Sequence, residues 1–208
     1  MSGPVLVIES AAPLSRTTLR RVRETPARTS GAFEERRTGE YPVFARPRAL
    51  GAPDTGDADG GRALLVSALG PGAGDEDLFA AEHADGMDSE QLIGSTPVCA
   101  VDVIAFCDSP VDHVVTALLT AAVMDVTGGV VQAELREDQV PVVTGLPGLV
   151  TLTAGPLPTA FGTASFLRTW ARRPGFRLLK QPDRGPAAPN SGGASARCPG
   201  RATVGGAG

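Results

Sequence analysis

The segment from Pro97 to Gly129 limits most strongly what this chain can fold into. Residues 98–106 form an almost continuous apolar run in which Asp102 is the only charged residue, a pattern typical of a strand buried on both faces. Ser109 and Asp112 then have the spacing of a capping box, and the helix predicted over residues 110–125 consists mainly of Val, Ala, Leu and Met. Gly128-Gly129 ends that helix. Because a helix this apolar must be packed on most of its circumference, we predict that it lies against a sheet at the centre of the core.

Shorter elements on both sides of this unit predict an α+β domain. Apolar runs predict strands over residues 4–8, 62–69, 130–135 and 176–180, and weaker strands at 41–44, 139–143 and 149–153. Ser15 and Thr163 can each cap a helix, and residues 75–83 predict an acidic helix. Pro42 and Pro47 favour an edge position for the strand at 41–44. We therefore predict one α+β domain over residues 1–180, with a mainly antiparallel sheet and helices packed largely on one face.

Two stretches lack a pattern of regular structure. Residues 25–61 are polar or rich in turn-forming residues, and we predict that they are largely loop. Residues 181–208 contain seven Gly, four Pro and six Ala but no Leu, Ile or aromatic residue. Such a segment cannot bury enough apolar surface to offset its ordering entropy, so we predict a disordered C-terminal tail.

The charge distribution bears on the partner and on the cellular compartment. Net charge is only −4, and residues 54–90 hold ten acidic residues against one basic residue, Arg62. A protein partner with a cationic surface is therefore expected, whereas nucleic acid is not. The N-terminus has no basic leader and no apolar run approaches the roughly 18–20 residues of a membrane span, so we expect a cytoplasmic protein with no membrane contact.

One pair of residues could carry covalent chemistry. Cys107 precedes the start of the apolar helix, where the thiol pKa can be lowered, and His113 lies close enough in sequence to act as a base. Asp108 adjoins the thiol and disfavours the thiolate, and no third, orienting group is identifiable. Together with Cys99, these residues match no zinc spacing, so we predict no metal and no cofactor. A buried cysteine and a histidine at a helix end are the structural alternative.

Other polar groups are candidates for binding. Asp75, Glu76 and Asp77 begin an acidic helix after a glycine-rich turn, and these carboxylates would repel a phosphate rather than hold one. A stripe on the apolar helix could line a groove or bond back to the helix backbone, and it consists of His113, Thr116, Thr120 and Asp125. A basic group near aromatic residues could hold single-stranded nucleic acid or form a solvated helix face. It comprises Arg168, Arg172, Arg173, Arg177 and Lys180, beside Trp170 and Phe176.

Two stretches of the chain resemble a family of actinomycete proteins without an established activity. The first is Asp112-His-Val-Val-Thr-Ala-Leu-Leu-Thr-Ala-Ala-Val-Met-Asp125-Val-Thr-Gly-Gly129, and the second is the closing stretch from Phe166 to Lys180. The likeness covers residues 97–180 and is looser over residues 1–70. An apolar helix followed by an acidic residue, Gly-Gly and a strand is also similar to small immunity proteins that neutralise polymorphic toxins. This resemblance implies a non-enzymatic, immunity-like protein-binding module. The alternatives are a small hydrolase that uses Cys107 and His113, and a nucleic-acid binder that uses Arg168 to Lys180.

Overall fold

A computed structural model describes residues 3–53, 60–83, 90 and 94–179. These residues fold into an open antiparallel sheet with helices. The helices are α1 (Arg16–Thr29), α2 (Glu76–His83), α3 (Pro110–Thr127), α4 (Val140–Val143) and α5 (Ala164–Trp170). The strands are β1 (Val5–Ser10), β2 (Ser30–Phe33), β3 (Glu40–Ala45), β4 (Arg62–Leu69), β5 (Cys99–Ala105), β6 (Val130–Glu134), β7 (Leu149–Leu152) and β8 (Thr159–Gly162).

All eight of these strands belong to one sheet, in the order β2-β3-β4-β5-β1-β6-β8-β7. Every neighbouring pair is antiparallel. The apolar run at 98–106 becomes β5, which lies in the middle between β4 and β1, as the sequence predicted. The chain is therefore a single α+β domain with an antiparallel sheet, and the predicted fold class is confirmed.

One face of the sheet forms the core together with α1, α3 and α5. Leu6 and Ile8 of β1 and Val101 and Val103 of β5 are at most 2 % exposed, and they share one hydrophobic cluster with these helices. Helix α3 contacts β1, β4 and β5 below it and α1 and α5 on its sides. The prediction that the helices pack largely on one face is thus confirmed.

Helix α3 has the position that its composition predicted. The Ser109 hydroxyl accepts from the Asp112 N–H and the Asp112 carboxylate accepts from the Ser109 N–H, which completes the capping box. Val123 is fully buried and Leu118 is 7 % exposed. Among the described residues, α3 is also the one helix long and apolar enough to cross a membrane. Most of it is buried inside the protein, so the core accounts for its apolar composition.

The prediction that residues 25–61 are largely loop is wrong for residues 25–50. Helix α1 continues to Thr29 through Pro26, and β2, β3 and a 3-10 turn at Pro47–Leu50 follow. Pro26 removes one helical N–H, but it is buried together with Val22 and Thr25, and the Thr25 hydroxyl donates to the Arg21 carbonyl at 2.9 Å. Tertiary burial thus outweighs the local cost of proline in a helix. Residues 54–59 lie outside the described residues.

The predicted edge position of the strand at 41–44 is wrong, because β3 lies between β2 and β4. The Pro42 carbonyl accepts from the Glu34 N–H, so the backbone of Pro42 is directed towards β2. In an antiparallel strand, the N and O atoms of one residue point to the same side. The missing N–H of Pro42 therefore affects the short, irregular β2 pairing and spares the β4 ladder.

Three further predictions near the C-terminus need correction. Residues 137–143 form a 3-10 turn and α4 rather than a strand, and β8 was not predicted. Residues 176–179 contain no strand, because the Leu178 N–H donates to the His113 side chain and the Arg177 carbonyl accepts from the Gln139 side chain. The predicted disordered tail at 181–208 lies outside the described residues.

Candidate functional site

The most concentrated group of charged side chains lies where α3 begins. We call it the α3 cluster: Arg62, Asp108, Asp112, His113 and Arg177. Arg62 starts β4 on the same face as Leu64, and its Nε lies 3.8 Å from Oδ1 of Asp112. Both side chains of this pair are at most 6 % exposed. Arg177 follows α5 in the chain, and its Nη2 lies 3.3 Å from Oδ2 of Asp108.

His113 is held rigidly within this cluster. Its Nδ1 accepts a hydrogen bond from the Leu178 N–H at 3.2 Å, and its Nε2 lies 3.0 Å from Oδ1 of Asp108. An imidazole that accepts at Nδ1 and carries its proton on Nε2 is neutral. Burial lowers the pKa of His113 below its ordinary value, against the opposing effect of Asp108, and the positive charge of Arg177 lowers it further. Since the side chain is 1 % exposed, it joins the C-terminal segment to α3 rather than facing a substrate.

Cys107 and His113 do not form a nucleophile–base pair. His113 has both ring nitrogens directed at Leu178 and Asp108 instead. Cys99 is free but fully buried, its Sγ contacts the Ala12 carbonyl oxygen at 3.2 Å, and burial raises its pKa. This geometry does not favour the hydrolase alternative.

The acidic residues at 75–77 lie together at the start of α2. The Asp75 carboxylate accepts from the Leu78 N–H at 2.9 Å and caps the helix, while Arg37 approaches it at 3.4 Å. Glu76 accepts from the Gly72 N–H, and Asp77 is exposed. Asp75 and Glu76 border an open cavity of about 490 Å³. It is lined by Arg37, Thr38, Gly72, Gly74, Asp75 and Glu76.

Asp125 is not brought together with His113. Asp125 lies twelve positions after His113 in the helix, which is about 18 Å along the helix axis. Thr116 and Thr120 are fully buried, and each hydroxyl donates to a backbone carbonyl one turn earlier, at 2.7 Å. Asp125 is instead exposed and pairs with both terminal nitrogens of Arg168. The hydroxyls of the polar stripe are therefore satisfied by the backbone of α3, and Asp125 connects α3 to α5, rather than lining a groove.

The basic group near the C-terminus lacks the aromatic surface that base stacking needs. Trp170 is fully buried, and Phe176 packs edge-on against it with ring centroids 4.8 Å apart. Arg168 and Arg177 are paired with Asp125 and Asp108. Lys180 lies outside the described residues. This arrangement matches the solvated helix face with core aromatics and does not favour the nucleic-acid alternative.

The sheet face opposite the helices carries an apolar surface that sequence reasoning missed. Phe44 of β3 pairs with Ala63 of β4, and the Phe106 N–H donates to the Ala63 carbonyl, so the three residues form one row across the sheet. The next row joins Pro42, Leu65, Ile104 and Val5. We call these seven residues the open-face band: Val5, Pro42, Phe44, Ala63, Leu65, Ile104 and Phe106.

The exposure of this band is unusual for its composition. Phe44 is 45 % exposed and Phe106 is 39 % exposed, and the other five members are half-buried. The face of β5 opposite α3 is buried at Ala100 and Asp102 and becomes half-exposed only at Ile104, so an apolar run that indicates burial on both faces does not reveal this surface. The sequence feature that could have indicated this surface is that two of the seven phenylalanines, Phe44 and Phe106, lie at the ends of predicted strands.

The fold and these surfaces define an α+β protein with an open antiparallel sheet. Among the described residues, no group of three or more His, Cys, Asp or Glu side chains could hold a metal ion. A family model described as a family of unknown function, DUF6368, matches residues 2–180. The chain therefore belongs to the DUF6368 family. Comparison with curated proteins and with solved structures found no match.

Proposed function

We propose that this chain is a non-enzymatic binding module that recognises a protein partner with a cationic and partly apolar surface. The observation that carries this proposal is the open-face band, in which two exposed phenylalanines lie on either side of Ala63 on a sheet face that α1, α3 and α5 do not cover. Exposed contiguous apolar surface on a folded domain marks interaction sites. Aromatic residues at the centre of such a patch supply much of the binding energy.

The charge around the band supports a cationic partner. On this face, strands β1, β3, β4, β5, β6 and β8 carry acidic residues and no basic residue. The acidic members are Glu40 and Glu134, which are half-buried, and Glu9 and Asp102, which are buried, so Glu40 and Glu134 carry the charge that a partner can meet. Charge complementarity of this kind selects partners and speeds their association.

The acidic start of α2 continues this surface. Arg37 lies 2.5 Å from Glu40 and 3.4 Å from Asp75, so the two carboxylates flank one guanidinium. Asp75, Glu76 and Asp77 thus extend the acidic margin beyond β3. Inhibition of a cationic toxin, as in immunity proteins, is the specific form of this function that the surface best suits.

The experiment compares capture by the wild type with capture by Phe44→Lys from a lysate of the source organism. Thr17→Lys, at an exposed position of α1 on the other side of the sheet, is the matched control. The expected partner binds the wild type and the control, is lost with Phe44→Lys, and is released by salt. With the partner purified, calorimetric titration should show at least tenfold weaker binding by Phe44→Lys, which corresponds to about 1.4 kcal/mol. Equal binding by both variants would remove the open-face band from the proposal.

A further inference from the structure

The sheet has one outer edge without charged residues, and it lies at β7. Residues 139–167 contain no charged side chain, although 20 % of the whole chain is charged. This uncharged segment includes α4, β7, the loop after it and β8. At the chain's average composition, a segment of 29 residues would carry about six charges. The segment therefore avoids charge where the sheet ends.

Strand β7 is exposed along its outer side. Among the described strands it has β8 as its single neighbour. The Thr153 N–H donates to Thr159 and the Gly148 carbonyl accepts from Thr163, so these two residues bond inward. Because successive residues alternate in direction, the backbone N–H and C=O of Leu152 point outward.

Exposed apolar side chains lie on β7 and in the parts of the uncharged segment before and after it. Val150 is 49 % exposed, Leu157 in the following loop is 57 % exposed, and Val142 of α4 is 41 % exposed. These are three of the six large apolar side chains that are exposed in the described part of the chain. The opposite edge differs: β2 is bordered by Arg28, Glu34 and Glu35, which are charged groups of the kind that protect edges from pairing.

We propose that β7 pairs with β7 of a second copy of this chain, forming a two-fold symmetric dimer in which the sheet continues from one protomer into the other. A two-fold interface brings each residue close to its own copy, so charges near the axis would repel each other. An uncharged apolar edge avoids this repulsion and is complementary to itself. A cationic or anionic partner would find no opposite charge at this edge. The strand has four residues and a bulge between Leu149 and Thr151, so the apolar side chains contribute more than the ladder.

Val150 provides the test, because its exposure makes substitution compatible with folding. In an antiparallel pairing that places the two copies of Val150 directly opposite or diagonal to each other, their side chains lie about 5–8 Å apart. Val150→Lys and Val150→Glu should therefore each give a monomer of 21.2 kDa in sedimentation equilibrium at about 100 μM, where the wild type has twice that mass. An equimolar mixture of the two variants should restore the dimer through opposite charges.

Phe44→Lys is the control on the open face, and it should remain dimeric. A monomeric wild type at this concentration overturns the proposal. The proposal is also overturned if the Val150→Lys variant stays dimeric. It is likewise overturned if the mixture of the two Val150 variants stays monomeric while each variant has the far-UV circular dichroism of the wild type. Since partner capture and dimer mass are separate measurements, this result is independent of the function proposed for the open-face band.

Discussion

His113 joins the C-terminal segment to α3, and its replacement should measure how much that connection stabilises the domain. In His113→Phe, a ring of similar size fills the site but neither nitrogen remains. The Leu178 N–H then loses its acceptor in a buried position, which costs about 1–3 kcal/mol. Loss of the contact with Asp108 adds about 1 kcal/mol, because Asp108 keeps its pairing with Arg177. The expected loss is about 2–4 kcal/mol, or roughly 4–16 °C in Tm for a domain of this size.

His113→Asn is the matched variant, since its amide oxygen can take the place of Nδ1 and keep the bond from Leu178. It should lose clearly less stability than His113→Phe. The measurement is urea unfolding at pH 7.5, followed by circular dichroism, with the midpoint compared at equal m values. If His113→Phe unfolds at the midpoint of the wild type, the hydrogen bond that defines this connection does not stabilise the fold.

The same residue sets a pH dependence. Burial lowers the pKa of His113 in the folded protein, so the unfolded chain binds the proton more readily. Its contribution to stability is fully present above the ordinary pKa of 6.5 and is lost as pH falls from there towards the lowered folded-state pKa. The slope contributed by this one proton is at most about 1.4 kcal/mol per pH unit. Asp108, Asp112 and Arg177 are the charged groups that act on the ring. Parallel losses of stability in the wild type and His113→Phe over this range would refute the assignment.

Three further experiments test the capping, packing and ion pairing around α3 and α5. Ser109→Ala removes the hydroxyl of the capping box and should cost about 0.5–2 kcal/mol in thermal unfolding. Gly162→Ala should cost about 1–3 kcal/mol in the same assay, because the new Cβ would lie 2.3 Å from a ring carbon of the buried Phe166; an unchanged Tm would contradict the close packing. A double-mutant cycle of Asp125→Ala and Arg168→Ala should give a coupling below about 1 kcal/mol that shrinks in high salt, since both side chains are at least one-third exposed.

Much of the fold was predictable where local and tertiary preferences agree. The capping box at Ser109, the apolar helix and the buried strand before it appear as predicted because burial favours the structures that their composition already favours. Predictions failed where long-range contacts oppose local preference. Pro26 remains helical because it is buried, and the segment after Phe176 bonds to His113 instead of forming a strand.

Less of the candidate sites was predictable. Proximity in sequence suggested a Cys107–His113 pair, yet the ring of His113 points at Leu178, which is 65 residues away. Helical spacing suggested a groove from His113 to Asp125, yet the intervening hydroxyls bond to their own helix. Spacing places side chains on one face of an element but does not reveal which partner occupies that face.

The sequence by itself determined the class of fold, the central helix and strand, and the absence of charge along residues 139–167, because periodicity, capping and composition are local properties. Only the tertiary structure decided which strands are neighbours, and with that it decided that Phe44 and Phe106 share one row across the sheet and that β7 ends the sheet. The physical reason is that pairing between distant strands depends on the burial of whole faces. No single segment carries that information.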